Sequence, residues 1–301
     1  MKDFIERLAA AALIFFSLPF VLLPLALSRR LGRLLGAVVY FIWVSRRRIA
    51  IENIRLSNLC RSVDASLTAR KSFENLGESF AEIAKIRAGL GRKVLENIRI
   101  EGIDNFLEAA AEGRGAISIT GHCGNWEVMA LSSGIQIKTI SVVARRQNNI
   151  YIDGIVEKMR TKYGNKVIYK KGALKQILSA VKANENVGIL MDQAVSENEG
   201  YVVNFLGRPA WTTKMPALIA RRTGAAVLPV FIRREGSGHV IMILPPVKLS
   251  DADGEQAVID DTIVFNSYIE NYIRCWPEEW LWIHKRWKRA AQDDKPVALK
   301  S

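Results

Sequence analysis

The stretch Ala116-Ile117-Ser118-Ile119-Thr120-Gly121-His122-Cys123-Gly124-Asn125-Trp126-Glu127-Val128-Met129-Ala130-Leu131 organises the chain. Its apolar opening, Ala116 to Ile119 between Gly115 and Gly121, predicts a short buried strand. Its close, with Trp126, Val128, Met129 and Leu131, predicts a helix beginning near Asn125, a favoured N-cap residue. Between them lies a tight polar turn. On one continuous helix His122 and Glu127 would point about 140° apart. With a strand-to-helix turn between them, His122 sits on the loop and Glu127 in the first helical turn, where the two can converge. Gly121 and Gly124 let the backbone turn sharply and admit a ligand closely.

His122 and Glu127 offer a base and its orienter. A neutral imidazole takes a proton from a hydroxyl near neutral pH, and a carboxylate fixes its tautomer and stabilises the imidazolium. No hydroxyl nucleophile is built into the turn, so the hydroxyl arrives with the substrate. Cys123 is the rival, as a thiol able to form a covalent intermediate. Neighbours in a turn rarely face each other, which weighs against it. A histidine that merely caps the turn is the reading without chemistry.

With 301 residues the chain is long enough for one large domain or one domain with additions. Its hydrophobic content, 49%, is high for a purely soluble protein, and the excess lies at the start. From Leu8 to Leu27 only Ser17, Pro19 and Pro24 interrupt an apolar run of about 20 residues, enough to cross a bilayer core. Arg29, Arg30 and Arg33 follow, whereas Lys2 and Arg7 before it are offset by Asp3 and Glu6. That asymmetry puts the downstream chain on the cytoplasmic side. A cleaved signal peptide competes, but the run is long and no small-x-small site precedes the arginines. The two prolines also allow a bent or interfacial helix. A second apolar patch, Leu34 to Val44, is too short to span and ends at Arg46-Arg47-Arg48. It suits an interfacial helix or a buried core helix with a basic end.

The net charge of +13 allows nucleic acid as a partner. No nucleic-acid motif accompanies it, and the arginines flank apolar segments, which favours anionic membrane surfaces. An acidic carrier protein or a phosphorylated lipid would use the same field. Cys60, Cys123 and Cys275 are widely spaced, and with three histidines a multi-His metal site is not expected.

Beyond the central stretch, residues 46–60 and 71–88 predict helices, 98–102 a strand and 105–111 a helix. Residues 135–144 predict a strand ending at Arg145-Arg146-Gln147-Asn148-Asn149, then a helix over 150–163. A strand at 167–169, a helix at 173–183 and a buried strand from Val187 lead to Asp192-Gln193. Residues 196–200 suggest a mobile loop, Thr212-Thr213 the opening of a helix, and 225–233 and 239–244 two more strands. Trp276 to Lys288 predicts a helix with Pro277 first, basic residues last and one stripe of Trp276, Trp280, Ile283 and Trp287. After Ala290 a disordered tail is expected. Strands alternating with helices indicate an α/β fold with a mixed central sheet flanked by helices, and polar groups at strand ends mark its ligand crevice.

Gly121-His-Cys-Gly-Asn-Trp-Glu127 resembles the H-x-x-x-x-[D/E] block of the glycerolipid acyltransferase superfamily, in the H-x-G-N-W-E form of its lipid A late-acyltransferase branch. Pro277-Glu278-Glu279-Trp280-Leu281-Trp282-Ile283-His284-Lys285-Arg286-Trp287 is similar to that branch's closing motif. Asp192-Gln193 resembles its Asp-Gln block, Gly207-Arg208-Pro209 its next turn, and Arg145 with Asn149 its second block, although Arg146 stands where proline is usual. The resemblance implies an acyltransferase with His122 and Glu127 catalytic and Gly124 and Asn125 forming the turn or an oxyanion site. It implies substrate-binding roles for Arg145, Asn149, Asp192, Gln193, His284, Lys285 and Arg286. Residues 1–45 would be membrane anchor and interfacial helix, 46–290 the acyltransferase domain and 291–301 the tail. The implied donor is an acyl carrier protein thioester and the acceptor an anionic lipid A precursor at the inner membrane, with no cofactor, metal or nucleic acid. An acyltransferase for another glycolipid or lysophospholipid, and a non-catalytic basic membrane binder, are the alternatives.

Overall fold

A computed structural model of the chain describes residues 1–59, 62–170, 172–290 and 295–299, so Cys60 lies outside it. Helices α1 (Lys2–Leu22), α2 (Leu25–Ile42), α3 (Val44–Leu56), α4 (Ala65–Arg87) and the short α5 (Arg92–Glu96) come first. Strand β1 (Ile98–Glu101), α6 (Ile103–Ala111), β2 (Ala116–Thr120), α7 (Trp126–Gln136) and β3 (Ile140–Ala144) follow. Then come α8 (Ile150–Arg160), β4 (Lys166–Tyr169), α9 (Ala173–Lys182) and β5 (Asn186–Leu190). A hairpin of β6 (Gly200–Phe205) and β7 (Arg208–Thr213) precedes α10 (Met215–Thr223), β8 (Ala226–Glu235), β9 (Gly238–Ile243) and α11 (Gly254–Cys275).

Seven strands form one sheet in the order β1-β9-β8-β2-β5-β3-β4, parallel at every pairing except the antiparallel β8–β9. All five residues of the central β2 are buried, as expected for a strand covered on both faces. Along β8, Val227 and Phe231 join one core with Ile177, Ile219 and Phe265 from α9, α10 and α11. Leu228, Val230 and Ile232 join a second core with Phe106, Val128 and Met159 from α6, α7 and α8. The alternation of strand side chains therefore divides the core into two helical layers. Because β2, β3 and β5 run parallel, their C-terminal ends share one edge, where His122, Arg145 and Asp192 follow directly.

The N-terminal helices lean on this body. At the α2–α4 contact a Cβ on Gly36 would stand 2.1 Å from the Phe73 carbonyl oxygen, so only glycine permits this approach. The outer face of α2 leaves Leu34, Val38, Phe41 and Ile42 exposed. Among the described residues α1 alone is long and apolar enough to cross a membrane. It lies against α4 and α8, with Phe20 edge-on to Phe80 and the Glu6 carbonyl accepting from Asn149.

Several expectations are corrected. The apolar run to Leu27 breaks at Leu23-Pro24, where Leu23, the residue before a proline, takes an extended backbone, whereas Pro19 is accommodated inside α1. Residues 135–139 are not strand: α7 runs to Gln136 and β3 begins only at Ile140. Thr212 and Thr213 close β7 instead of opening a helix, since their backbone pairs with Tyr201 and Gly200. Beyond a single 3₁₀ turn at Pro277–Glu279, residues 280–288 do not form the expected helix. Tertiary pairing wins there: Trp280 bridges Cys123 as a strand would, and the Leu281 N–H donates to the His122 carbonyl. At 196–200 the expected loop is a 3₁₀ turn held by a Ser196–Glu199 capping box. The tail from 291 falls largely outside the described residues, although the Val297 N–H donates to the Val202 carbonyl at 2.8 Å.

Candidate active site

His122 leaves the end of β2 in the tight turn read from the sequence, and α7 starts where Asn125 caps it, its side chain accepting from the Val128 N–H. The carboxylate on the imidazole is Asp192. Its Oδ1 lies 2.8 Å from His122 Nδ1, while Oδ2 accepts from the His122 backbone N–H at 2.9 Å. The Trp280 indole N–H donates to the same Oδ2 at 2.8 Å. Burial alone would raise the Asp192 pKa, but the charge and hydrogen bonds of His122, with Trp280, hold it well below the usual carboxylate range. An ionised carboxylate only accepts, so Nδ1 carries a proton, and in the neutral imidazole the lone pair is on Nε2. The nearest donor to Nε2 is the Gln193 amide, at 3.2 Å. Trp126 closes the other side, its ring edge-on 5.0 Å from the imidazole.

Glu127, expected to orient His122, instead forms a two-pronged ion pair with Arg160 at the end of α8, Nε to Oε2 being 2.9 Å. Adjacent strand ends explain the exchange. Asp192 follows β5, which neighbours β2, whereas the first turn of α7 faces α8. Gly124 and Asn125 each spend a donor inside the fold: the Gly124 N–H goes to the Glu279 carbonyl at 2.9 Å, and the Asn125 side-chain amide to Glu82 at 2.7 Å. Both are turn residues, and Gly124 at φ +54° has its Cβ position 2.3 Å from the Ile232 carbonyl oxygen. Cys123 is 1% exposed, and burial, with Asp192 and Glu279 nearby, pushes its thiol pKa well up. It is a poor nucleophile there.

Arg145 lines the cavity at His122 and also a shallow polar recess over residues 145–149. Asn149 caps α8 and ties it to α1 through the Glu6 carbonyl. His284 is partly buried, which lowers its pKa, and its carbonyl accepts from Asn53. Lys285 is exposed. Arg286, expected at the substrate, is fully buried: it donates to the Trp211 carbonyl and Thr212 and stacks on Phe205. Its role is to hold the β6–β7 hairpin to the C-terminal segment. Arg160 and the Trp280 indole were missed from the sequence. Nothing in the pattern of α8 singles out Arg160, whereas a buried indole N–H needs an acceptor, which was a usable signal for Trp280.

Behind these residues Glu82, fully buried on α4, gathers Arg29, Arg234, His239 and Asn125. Burial would raise its pKa, but His239 and Arg234 hold it well below the carboxylate range. Three spaces meet the site. The cavity at His122 measures about 330 Å³ and mixes polar groups, Gln147, Arg160 and Lys170 among them, with apolar ones such as Val142, Ile189 and Met215. An apolar slot of about 50 Å³ runs under α7 between Met129, Ile140, Val230 and Ile241, sharing Trp126 with the cavity. An apolar groove of about 190 Å³ lies between α1, α4 and α8, sharing Glu127 with it.

A base aimed into a cavity of mixed lining, with no nucleophile of its own and flanked by spaces fit for hydrocarbon, suits an enzyme that moves an acyl group to a hydroxyl. Residues 5–289 match the family described as bacterial lipid A biosynthesis acyltransferase, and the chain belongs to that family. It is similar to a lipid A biosynthesis lauroyltransferase of Escherichia coli (strain K12), 27% identical over 89% of this chain and 87% of the relative. A lipid A biosynthesis palmitoleoyltransferase of the same organism is 26% identical with the same coverage. A phosphatidylinositol mannoside acyltransferase of Mycobacterium tuberculosis (strain ATCC 25618 / H37Rv) is 26% identical over 76% of this chain and 73% of the relative.

Proposed function

We propose that the protein transfers a fatty acyl chain from an acyl carrier protein thioester to a hydroxyl on a 3-hydroxyacyl chain of a lipid A precursor. The carrying observation is the His122–Asp192 contact at 2.8 Å, which leaves Nε2 facing the cavity. The acceptor hydroxyl displaces Gln193 from Nε2 and gives up its proton there as its oxygen attacks the thioester carbonyl. The tetrahedral intermediate then expels the thiolate, which takes the proton back from His122. Asp192 stabilises the imidazolium between these steps, and Arg145, Lys170 and Arg160 offer positive charge to phosphates at the cavity wall. Transfer is direct, without a covalent enzyme intermediate or cofactor.

Residues 1–45 serve as the membrane-facing part and 46–290 as the catalytic domain, on the cytoplasmic face of the inner membrane. The arginines just beyond α1 support that face. To test the reading, purified protein in lipid vesicles is given labelled acyl carrier protein and a lipid A precursor, with His122→Ala as control. Labelled, more highly acylated lipid is expected from the wild type alone. A wild type that acylates only a mannosylated phosphatidylinositol would replace the acceptor, a possibility that the similarity to the mycobacterial enzyme supports.

A further inference from the structure

Esterifying the hydroxyl of a 3-hydroxyacyl chain poses a packing problem. The reacting carbon sits near the head of a long hydrocarbon chain, so two tails must leave the His122 cavity, one from the donor and one from the acceptor. Each needs an apolar path, because exposing it to water and to the charged groups of the cavity, Arg145, Arg160 and Lys170, forfeits the burial that holds it in a membrane. Two such paths border the cavity. The slot under α7 is enclosed between helix and sheet. The groove is walled by Leu13 and Ile14 of α1, Phe80 and Ile83 of α4, and Val156 and Met159 of α8. Glu127 lines both groove and cavity, and its partner Arg160 lines the cavity, so their ion pair stands at the junction.

We infer that this groove is an acyl-chain site for the lipid acceptor: it takes the distal part of the hydroxyacyl chain whose hydroxyl is being esterified. The inference rests on the acyl transfer to a hydroxyacyl lipid proposed above. One observation gives the groove to the acceptor instead of the donor. One wall is α1, the single described helix long and apolar enough to cross a membrane, so a chain can pass from lipid along α1 without crossing water. The groove is almost wholly apolar, which suits a tail and rejects a hydrated headgroup. The Glu127–Arg160 pair puts charge beside its inner end, which suits the hydroxyl-bearing head of the chain and not its tail.

Val156→Trp on α8 and Leu13→Trp on α1 fill the groove from opposite walls, and neither residue touches His122 or Asp192. Full-length variants in vesicles are assayed with one donor and two acceptors: the lipid with long 3-hydroxyacyl chains, and the same lipid with the reacting chain cut back to a hydroxybutyryl group. Thioester hydrolysis without acceptor and the thermal unfolding midpoint report on donor binding and folding. Displacing two methylenes is enough for about a tenfold effect, so KM for the long-chain acceptor is expected to rise about tenfold or more in both variants. The truncated acceptor and donor hydrolysis should change less than about twofold. Equal losses on both acceptors, or no loss on either, overturn the inference. A loss that follows donor chain length gives the groove to the donor and overturns it as well. A wild type that acylates neither acceptor rejects the functional reading itself, and the groove assignment with it.

Discussion

At the scale of single residues the site turns on which carboxylate meets the imidazole. Asp192 does, so Asp192→Asn keeps the shape but withdraws the charge that stabilises the imidazolium; activity should fall about 10²–10⁴-fold. Glu127→Gln loosens Arg160 but leaves His122 its partner, so its loss of activity should be the smaller of the two. A larger loss in Glu127→Gln than in Asp192→Asn would reverse the two roles. Cys123→Ser, at a buried thiol whose pKa is pushed up, should retain most activity. An acyl group trapped on Cys123 would make transfer a two-step reaction. Asp192 also bears on stability. Its carboxyl is ionised in the folded chain at pH values where the unfolded chain already binds a proton. Its contribution is thus complete above the ordinary carboxylate pKa of about 4 and fades as pH falls below it. Acid titration of the unfolding midpoint should show a weaker decline in Asp192→Asn.

At the scale of elements, the strand-turn-helix at residues 116–131 was legible because every local signal agreed: an apolar run, glycines at the turn, and an N-cap residue before the helix. The partner of His122 was not legible, because it depends on which strands are neighbours, and the β2–β5 pairing joins residues 70 positions apart. The segment from Trp276 to Lys288 misled for the same reason. Its proline, acidic start and basic end favour a helix locally, yet its backbone closes onto the His122 turn from both sides of Trp280. Arg286, a substrate-binding residue by the resemblance, is a buried strut in the fold. This strap carries its own prediction. Trp280→Phe keeps an aromatic ring against Phe205, Trp282 and Trp287, loosens their packing, and takes one donor from a buried carboxylate, a hydrogen bond to charge worth about 1.5–3 kcal/mol. We expect kcat to drop about 10–100-fold with KM for donor and acceptor unchanged, since the indole N–H donates only to Asp192. A variant whose KM rises while kcat holds would show that the strap shapes binding instead.

At the scale of the whole molecule, α1 and α2 are not a detachable leader. Phe20 sits on Phe80, Arg87 reaches Ser17, Lys85 donates to the Val21 carbonyl, and Arg29 enters the Glu82 cluster that also holds Asn125 of the active-site turn. Deleting residues 1–28 would therefore strip one wall of the groove and uncover apolar surface on α4, so loss of membrane binding could not be told from loss of fold. A cleaner test uses the outer face of α1, where Phe15 and Phe16 are 66% and 70% exposed and lie edge-on to each other. Burying a phenylalanine in hydrocarbon is worth about 1.5–3 kcal/mol, so Phe15→Gln with Phe16→Gln should weaken vesicle partitioning well over tenfold. The thermal unfolding midpoint should not move, because neither side chain supports the core. What binding remains should come from the arginines at 30, 33 and 46–48 and should fade as salt rises, since exposed charges are screened within about 10 Å at moderate ionic strength. Phe20→Gln, on the inner face, should do the reverse, lowering the midpoint through its lost contact with Phe80. If the outer-face double variant sediments with vesicles as the wild type does, at both low and high salt, α1 is not the element that holds the protein to lipid.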